Sequence, residues 1–122
     1  MEKKMLIVIK VIPRAINEQE REEFFKSIAA QHSGEVSYQI FSYEDETPDG
    51  DIFIEISDDC IVLGNSWDKY IKLAVEQGLP QHGLGKNFVP TWEGYVQRRM
   101  GLESRRPPFG YFPDLKVTIA SQ

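Results

Sequence analysis

The sequence predicts an α+β fold, a ferredoxin-like split βαβ sandwich with helices on one face of a single sheet and an irregular C-terminal insert. The length of 122 residues and the 41% apolar content suit one soluble domain over residues 1–122. Apolar residues recur at every second position in some segments and at helical spacing in others. These segments follow the order β-α-β-β-(β)-α-(α)-β. In the split βαβ arrangement of that order, the first and third strands pair at the sheet centre.

The N-terminal half of the chain is predicted to hold three strands and one helix. Residues 5–12 are almost wholly aliphatic, which predicts a central strand covered on both faces. Asn17 can cap the amide of Glu20 and so begin a helix. Two further strands are predicted over residues 36–43 and 52–56, where β-branched and aromatic side chains alternate with others.

The C-terminal half is predicted to hold two helices and a final strand. Residues 60–63 follow a turn at residues 58–59 and are predicted to form a short hairpin with the preceding strand. The second helix presents one apolar face, made of Trp67, Tyr70, Ile71, Ala74 and Val75. A third helix is predicted over residues 91–100, and alternating apolar residues predict a last strand over residues 115–119.

The most unusual feature of the chain is a run of carboxylates. Residues 44–59 contain no Lys or Arg and eight acidic residues: Glu44, Asp45, Glu46, Asp49, Asp51, Glu55, Asp58 and Asp59. With Glu35 included, the segment 35–59 carries a charge of −9, whereas the whole chain carries 14 − 19 = −5. The remainder is therefore basic, at +4. Such a separation of charge is typical of a surface that meets a cation-rich partner.

This charge pattern predicts a small acidic cytosolic binding protein of the inhibitor or immunity type, which neutralises a basic protein partner such as a toxin nuclease. The predicted partner-binding residues are Glu44, Asp45, Glu46, Asp49, Asp51, Asp58 and Asp59. Carboxylates can occupy the site that phosphates would use and can accelerate association. The acidity of the chain argues against binding to nucleic acid or to an anionic membrane, and no segment has the ~20 apolar residues of a membrane span.

The alternative is a small enzyme or ligand-binding domain, or an adaptor subunit of a larger assembly. Its anion pocket would lie between the sheet and the insert over residues 79–114, lined by residues 81–87 and 105–111. Arg105 and Arg106 are the candidate anion-binding side chains, because arginine near aromatic rings can hold a carboxylate or stack on a base. In the competing interpretation, these arginines pair with the acidic loop of the same molecule.

No catalytic, metal or cofactor motif is evident, so the prediction is a protein that is not an enzyme and needs no cofactor. Residues 45–50 open like a calcium loop, but Ile56 stands where a bidentate Glu must close the shell. Residues 83–86 lack the flanking Gly and the Ser or Thr of a phosphate-binding loop. The single Cys60 favours a reducing, cytosolic setting. It is predicted to be a buried hydrophobe and not a nucleophile paired with His82.

Overall fold

The computed structural model describes residues 4–78, 91–107 and 114–120. Within them the chain forms six strands: β1 (Leu6–Ile12), β2 (Ser37–Ser42), β3 (Ile52–Ser57), β4 (Cys60–Val62), β5 (Leu102–Ser104) and β6 (Lys116–Ile119). It also forms three helices: α1 (Glu18–Gln31), α2 (Trp67–Gln77) and α3 (Trp92–Met100). The predicted α+β class is therefore confirmed. In the part of the chain that the structure describes, no helix is long and apolar enough to span a bilayer.

Four strands form a mixed sheet in the order β2-β1-β3-β6. Both β2 and β3 run parallel to β1, whereas β6 is antiparallel to β3. The prediction that the first and third strands pair at the centre of the sheet is confirmed. The split βαβ arrangement is met only in part, because β1 and β2 are direct neighbours with no strand between them.

The short strand β4 does not form a hairpin with β3. It pairs antiparallel with β5 in a separate two-stranded sheet, so the predictions of that hairpin and of a single sheet were wrong. The physical reason is that both edges of β3 are already occupied, one by β1 and the other by β6. Cys60 and Val62 are instead fully buried in the core, and the Val62 amide donates to the Ser27 hydroxyl of α1 at 2.9 Å.

The core lies on one face of the four-stranded sheet. Alternate residues of the two central strands point to this face: Ile7, Ile9, Val11, Ile52, Ile54 and Ile56. They form one cluster with buried residues of all three helices: Phe24 and Ile28 of α1, Trp67 and Ile71 of α2, and Val96 and Met100 of α3. This cluster agrees with the predicted placement of the helices on one face.

Side-chain caps explain where two of the helices begin. Asn17 Oδ1 accepts from the Glu20 amide at 2.9 Å at the start of α1, as the sequence predicts. Thr91 Oγ1 accepts from the Gly94 amide at 3.1 Å at the start of α3, which confirms the helix predicted over residues 91–100 within the insert. One residue of the predicted apolar face of α2 differs, because Tyr70 is 37% exposed.

We expect Ile71→Ala to lower the free energy of unfolding by about 2–5 kcal/mol, because it leaves a cavity in the core where the fully buried Ile71 side chain packs. Leu73→Ala on the same helix is the control, and its smaller cost should reflect the 37% exposure of Leu73. Urea denaturation of the three proteins measures both values. Equal costs for the two variants would show that α2 packs through a different face.

Candidate functional site

The acidic crossover, residues 43–51, connects the end of β2 with the start of β3. Because both strands run parallel to β1, this connection must return along the length of the sheet. It crosses the face opposite to the core, where a Cβ atom on Gly50 would lie only 2.4 Å from Cγ2 of Val8. The parallel topology therefore places the carboxylate run over the sheet face that the core helices do not cover.

Hydrogen bonds hold both ends of the acidic crossover. At its start, the Asp45 amide donates to the Ser42 carbonyl at 3.0 Å, and Asp45 Oδ2 accepts from the Ser42 amide at 3.3 Å. At its end, the half-buried Asp51 accepts from the Leu6 amide through Oδ2 at 2.8 Å and donates its own amide to the Leu6 carbonyl at 2.9 Å. The crossover is thus tied to β2 at one end and to β1 at the other.

Four of the predicted partner-binding residues are exposed on this crossover: Glu44, Asp45, Glu46 and Asp49. None of the four forms an ion pair with any residue that the structure describes. Their negative charge is therefore not neutralised by ion pairs within the described part of the fold.

The other three predicted partner-binding residues, Asp51, Asp58 and Asp59, bond to the molecule itself. Asp58 is 1% exposed, and its Oδ1 accepts from the amides of Arg14 and Ala15, both at 2.7 Å. A carboxylate that closes the β1–α1 connection in this way cannot also reach a partner, so its prediction as a surface residue was wrong. Asp59 is half-buried, and its Oδ1 accepts from the Ser57 hydroxyl at 2.7 Å.

A cavity of about 470 Å³ opens where the acidic crossover leaves β2. Val11, Phe25 and Phe41 contribute to its apolar walls, and Asp45 and Glu46 lie at its acidic side. The cavity lies at the carboxyl ends of β1 and β2, whose onward connections pass to opposite faces of the sheet. In open α/β sheets, ligands bind at such a switch point.

The charge of this cavity favours a cation. The charged residues that line it are one arginine and three carboxylates, 1 − 3 = −2: Arg21, Asp45, Glu46 and Asp58. Arg21 is engaged internally, since its Nε lies 3.9 Å from Asp58 Oδ2 and its guanidinium lies over the Phe25 ring at 5.7 Å. Asp45 and Glu46 have no such countercharge in the described residues, so a positive group that enters the cavity would be attracted.

Arg105 and Arg106, the predicted anion-binding residues, pair with glutamates of α1. Arg106 Nη2 lies 2.5 Å from Glu20 Oε1, and Arg105 Nη2 contacts Glu23 Oε2. These pairs favour internal neutralisation of the arginines, although by α1 and not by the acidic loop. The remaining predicted lining of the anion pocket, residues 81–87 and 108–111, lies outside the described residues.

Cys60 is fully buried in the core. Burial, together with the nearby charges of Asp59 and Asp58, raises the pKa of the Cys60 thiol to about 12. Such a thiol is neutral near pH 7 and is therefore not an activated nucleophile. His82, considered as its partner, lies outside the described residues. Among the residues that are described, no three His, Cys, Asp or Glu side chains are grouped so that they could hold a metal ion.

Sequence reasoning missed a second buried carboxylate, Asp68 in the first turn of α2. Its Oδ1 accepts from the Ser33 amide at 2.8 Å, and its Oδ2 accepts from the Ser33 hydroxyl at 2.7 Å and the Val36 amide at 3.1 Å. His32 Nε2 lies 3.2 Å from the same Oδ2. Asp68 therefore fixes the α1–β2 connection. Acidic residues are common in the first turn of helices, so no sequence signal marks this one as buried.

No protein-family model, curated protein or solved structure matches this chain. We therefore infer function from the charge, exposure and geometry of the site itself.

We expect Asp68→Asn to lower the free energy of unfolding by about 1–3 kcal/mol near neutral pH, because an amide group in place of Oδ2 leaves the buried Val36 N–H without an acceptor. Burial acts to raise the pKa of Asp68, but hydrogen bonds from Ser33 and Val36 and the nearby His32 hold it below its usual value. The folded state therefore binds this proton more weakly than the unfolded state does. The stabilisation is complete above about pH 4, the ordinary carboxyl pKa, and is lost as the pH falls below it.

Urea denaturation across this pH range measures the effect. The difference in unfolding free energy between wild type and Asp68→Asn should shrink with acidification, whereas the exposed control Asp49→Asn should stay close to wild type throughout. A difference for Asp68→Asn that does not change with pH would contradict the role of the ionised carboxylate.

Proposed function

We propose that this protein is a small acidic binding protein that neutralises a basic protein partner through its acidic crossover. The observation that carries the proposal is the group of four exposed carboxylates, Glu44, Asp45, Glu46 and Asp49, which have no ion pair among the described residues. The protein acts through contact and supplies no chemistry of its own.

A toxin nuclease is the class of partner that best fits such a surface. A nuclease presents Lys and Arg side chains where it holds the phosphates of its substrate, and carboxylates can occupy the same positions. Charge of one sign on a short segment also steers a partner of the opposite sign, which can raise association rates by about 10–10³-fold at low salt. An inhibitor benefits from this acceleration because it must capture the toxin before the toxin acts. Since Cys60 is the sole cysteine of the chain, we place this function in the reducing cytoplasm.

Reversing the charge of the crossover tests this function. We expect the triple variant Asp45→Lys, Glu46→Lys and Asp49→Lys to slow association with the basic partner at least about tenfold at low salt. Its folding should change little, because Glu46 and Asp49 are exposed charges that contribute little to stability, and the only side-chain hydrogen bond lost among the described residues is the exposed one from the Ser42 amide to Asp45 Oδ2 at 3.3 Å. Stopped-flow fluorescence at a series of salt concentrations, with the partner purified from the native host, measures the association rate.

A second triple variant, Glu22→Lys, Glu35→Lys and Glu103→Lys, is the matched control. These residues are also exposed, and both variants change the net charge by the same amount, from −5 to −5 + 6 = +1. We expect the control to associate faster than the crossover variant and to keep more of the salt dependence of the wild type. Equal losses in both variants would show that net charge and not the crossover governs binding. An unchanged rate in the crossover variant would contradict the proposal.

A further inference from the structure

The hydrogen bonds of β1 reveal which way the backbone groups of its neighbours point. Leu6 exchanges hydrogen bonds with Asp51 just before β3, and the Ile12 carbonyl accepts from the Asp58 amide at 3.1 Å just after β3. Leu6 and Ile12 therefore direct their backbone groups toward β3. Backbone groups alternate between the two sides of a strand. Ile7, Ile9 and Val11 therefore direct theirs toward β2.

The register then shows which residues in and next to β2 direct their backbone groups inward, toward β1, and which direct them outward, to the free edge of the sheet. Ile7 lies opposite Tyr38, and Ile9 lies opposite Ile40. In a parallel ladder, a residue bonds to the two residues that flank its partner, so the inner residues are Ser37, Gln39 and Phe41. The residues that direct N–H and C=O groups to the outer edge are Val36, Tyr38, Ile40 and Ser42.

The molecule itself closes both ends of this outer edge. At one end, the Val36 amide donates to Asp68 Oδ2 at 3.1 Å, and the Val36 carbonyl accepts from His32 Nε2 at 2.5 Å. At the other end, the amide and carbonyl of Ser42 are both bonded by Asp45. These contacts independently agree with the outward direction deduced from β1.

Among the residues that the structure describes, none bonds to the middle of this edge in the same way. Tyr38 and Ile40 each direct one N–H and one C=O outward, and the described residues supply no partner for these four groups. β2 contains no charged residue and no proline, the devices that commonly protect an edge strand. The opposite edge strand, β6, is different, since it carries Lys116 and its Val117 amide donates to Glu93 Oε1 of α3 at 3.1 Å.

We infer that an extended, basic segment of the partner binds to β2 as an added strand, with its main chain bonded to Tyr38 and Ile40. This inference rests on the proposed function and names the way in which the partner binds. Strand addition obtains affinity from main-chain hydrogen bonds and specificity from pockets for alternate side chains. The unprotected stretch of β2 provides the hydrogen bonds, and the cavity beside it provides the pocket.

The position of the cavity determines the chemistry of the added segment. Ile40 and Phe41 line it together with Asp45 and Glu46, so a side chain from a strand bonded at Ile40 can enter it. A Lys or Arg side chain fits this environment, because its aliphatic stem can pack on Ile40 and the Phe25 ring while its charged end meets the carboxylates. A second copy of this chain is a poorer occupant, since its β2 offers no cation and its net charge is −5.

Amide hydrogen exchange followed by NMR tests the inference on the whole protein. In the free protein, the outward amides of Tyr38 and Ile40 should exchange at least about tenfold faster than the inward amides of Gln39 and Phe41. The probe is an octapeptide of alternating lysine and threonine with blocked ends, added until the chemical shifts stop changing. It should slow exchange at Tyr38 and Ile40, and the matched peptide of alternating glutamate and threonine should not. Ile40→Pro, which removes an outward N–H but no bond to β1, should lose the response.

The outcomes separate this inference from the proposed function. If the lysine peptide shifts the resonances of the acidic crossover but leaves exchange at Tyr38 and Ile40 unchanged, strand addition is wrong and the acidic surface remains a binding site. If both peptides slow exchange equally, strand addition is right but the basic occupant and the proposed function are wrong. Protection of Tyr38 and Ile40 that rises with protein concentration and without peptide would identify a second copy as the occupant and overturn the inference.

Discussion

Both neighbours of β1 run parallel to it, and this constraint determines where the charges of the molecule lie. A tight hairpin cannot join parallel strands, so each connection must return along the sheet. The helix α1 returns from β1 to β2 over the core face, and the acidic crossover returns from β2 to β3 over the other face. Because the two connections pass to opposite faces, a cavity remains at the carboxyl ends of β1 and β2. Because β1 already holds β3 on its second side, β2 remains an edge strand.

Carboxylates serve two distinct purposes in this fold. Asp58 and Asp68 are buried, and each accepts hydrogen bonds from backbone amides of a connection that would otherwise lack partners. The exposed side chains of Glu44, Glu46 and Asp49 accept no such bonds from the described residues, so the fold does not require their charge. A binding surface on residues that the fold does not need can be changed for a new partner without loss of stability. Asp45 serves both purposes although it is exposed, since its carboxylate accepts from the Ser42 amide at the end of β2 and also lines the cavity.

The sequence predicted those elements whose cause is local. An uninterrupted aliphatic run is enough to predict a buried β1, and Asn17 has the side chain that caps a helix. Strand pairing was harder to predict, because alternation shows which face of a strand is buried but not which strand lies beside it. The hairpin expected between β3 and β4 failed for this reason, since β6, about 60 residues further along the chain, occupies the edge of β3. Likewise, Asp58 and Asp45 are the same residue type in one acidic run, and they differ through contacts with residues distant in sequence, such as the backbone amides of Arg14 and Ala15, from which Asp58 accepts.

The direction of β2 is the point on which the cavity, the edge and the path of the acidic crossover all depend. Interstrand nuclear Overhauser contacts between backbone protons measure it directly. The account predicts contacts in the parallel register that places Ile7 opposite Tyr38 and Ile9 opposite Ile40. Antiparallel contacts between β2 and β3, as in a complete split βαβ sandwich, would contradict it. The acidic residues would then form a simple turn at one end of the sheet, and neither the cavity nor the outer edge of β2 would exist as described.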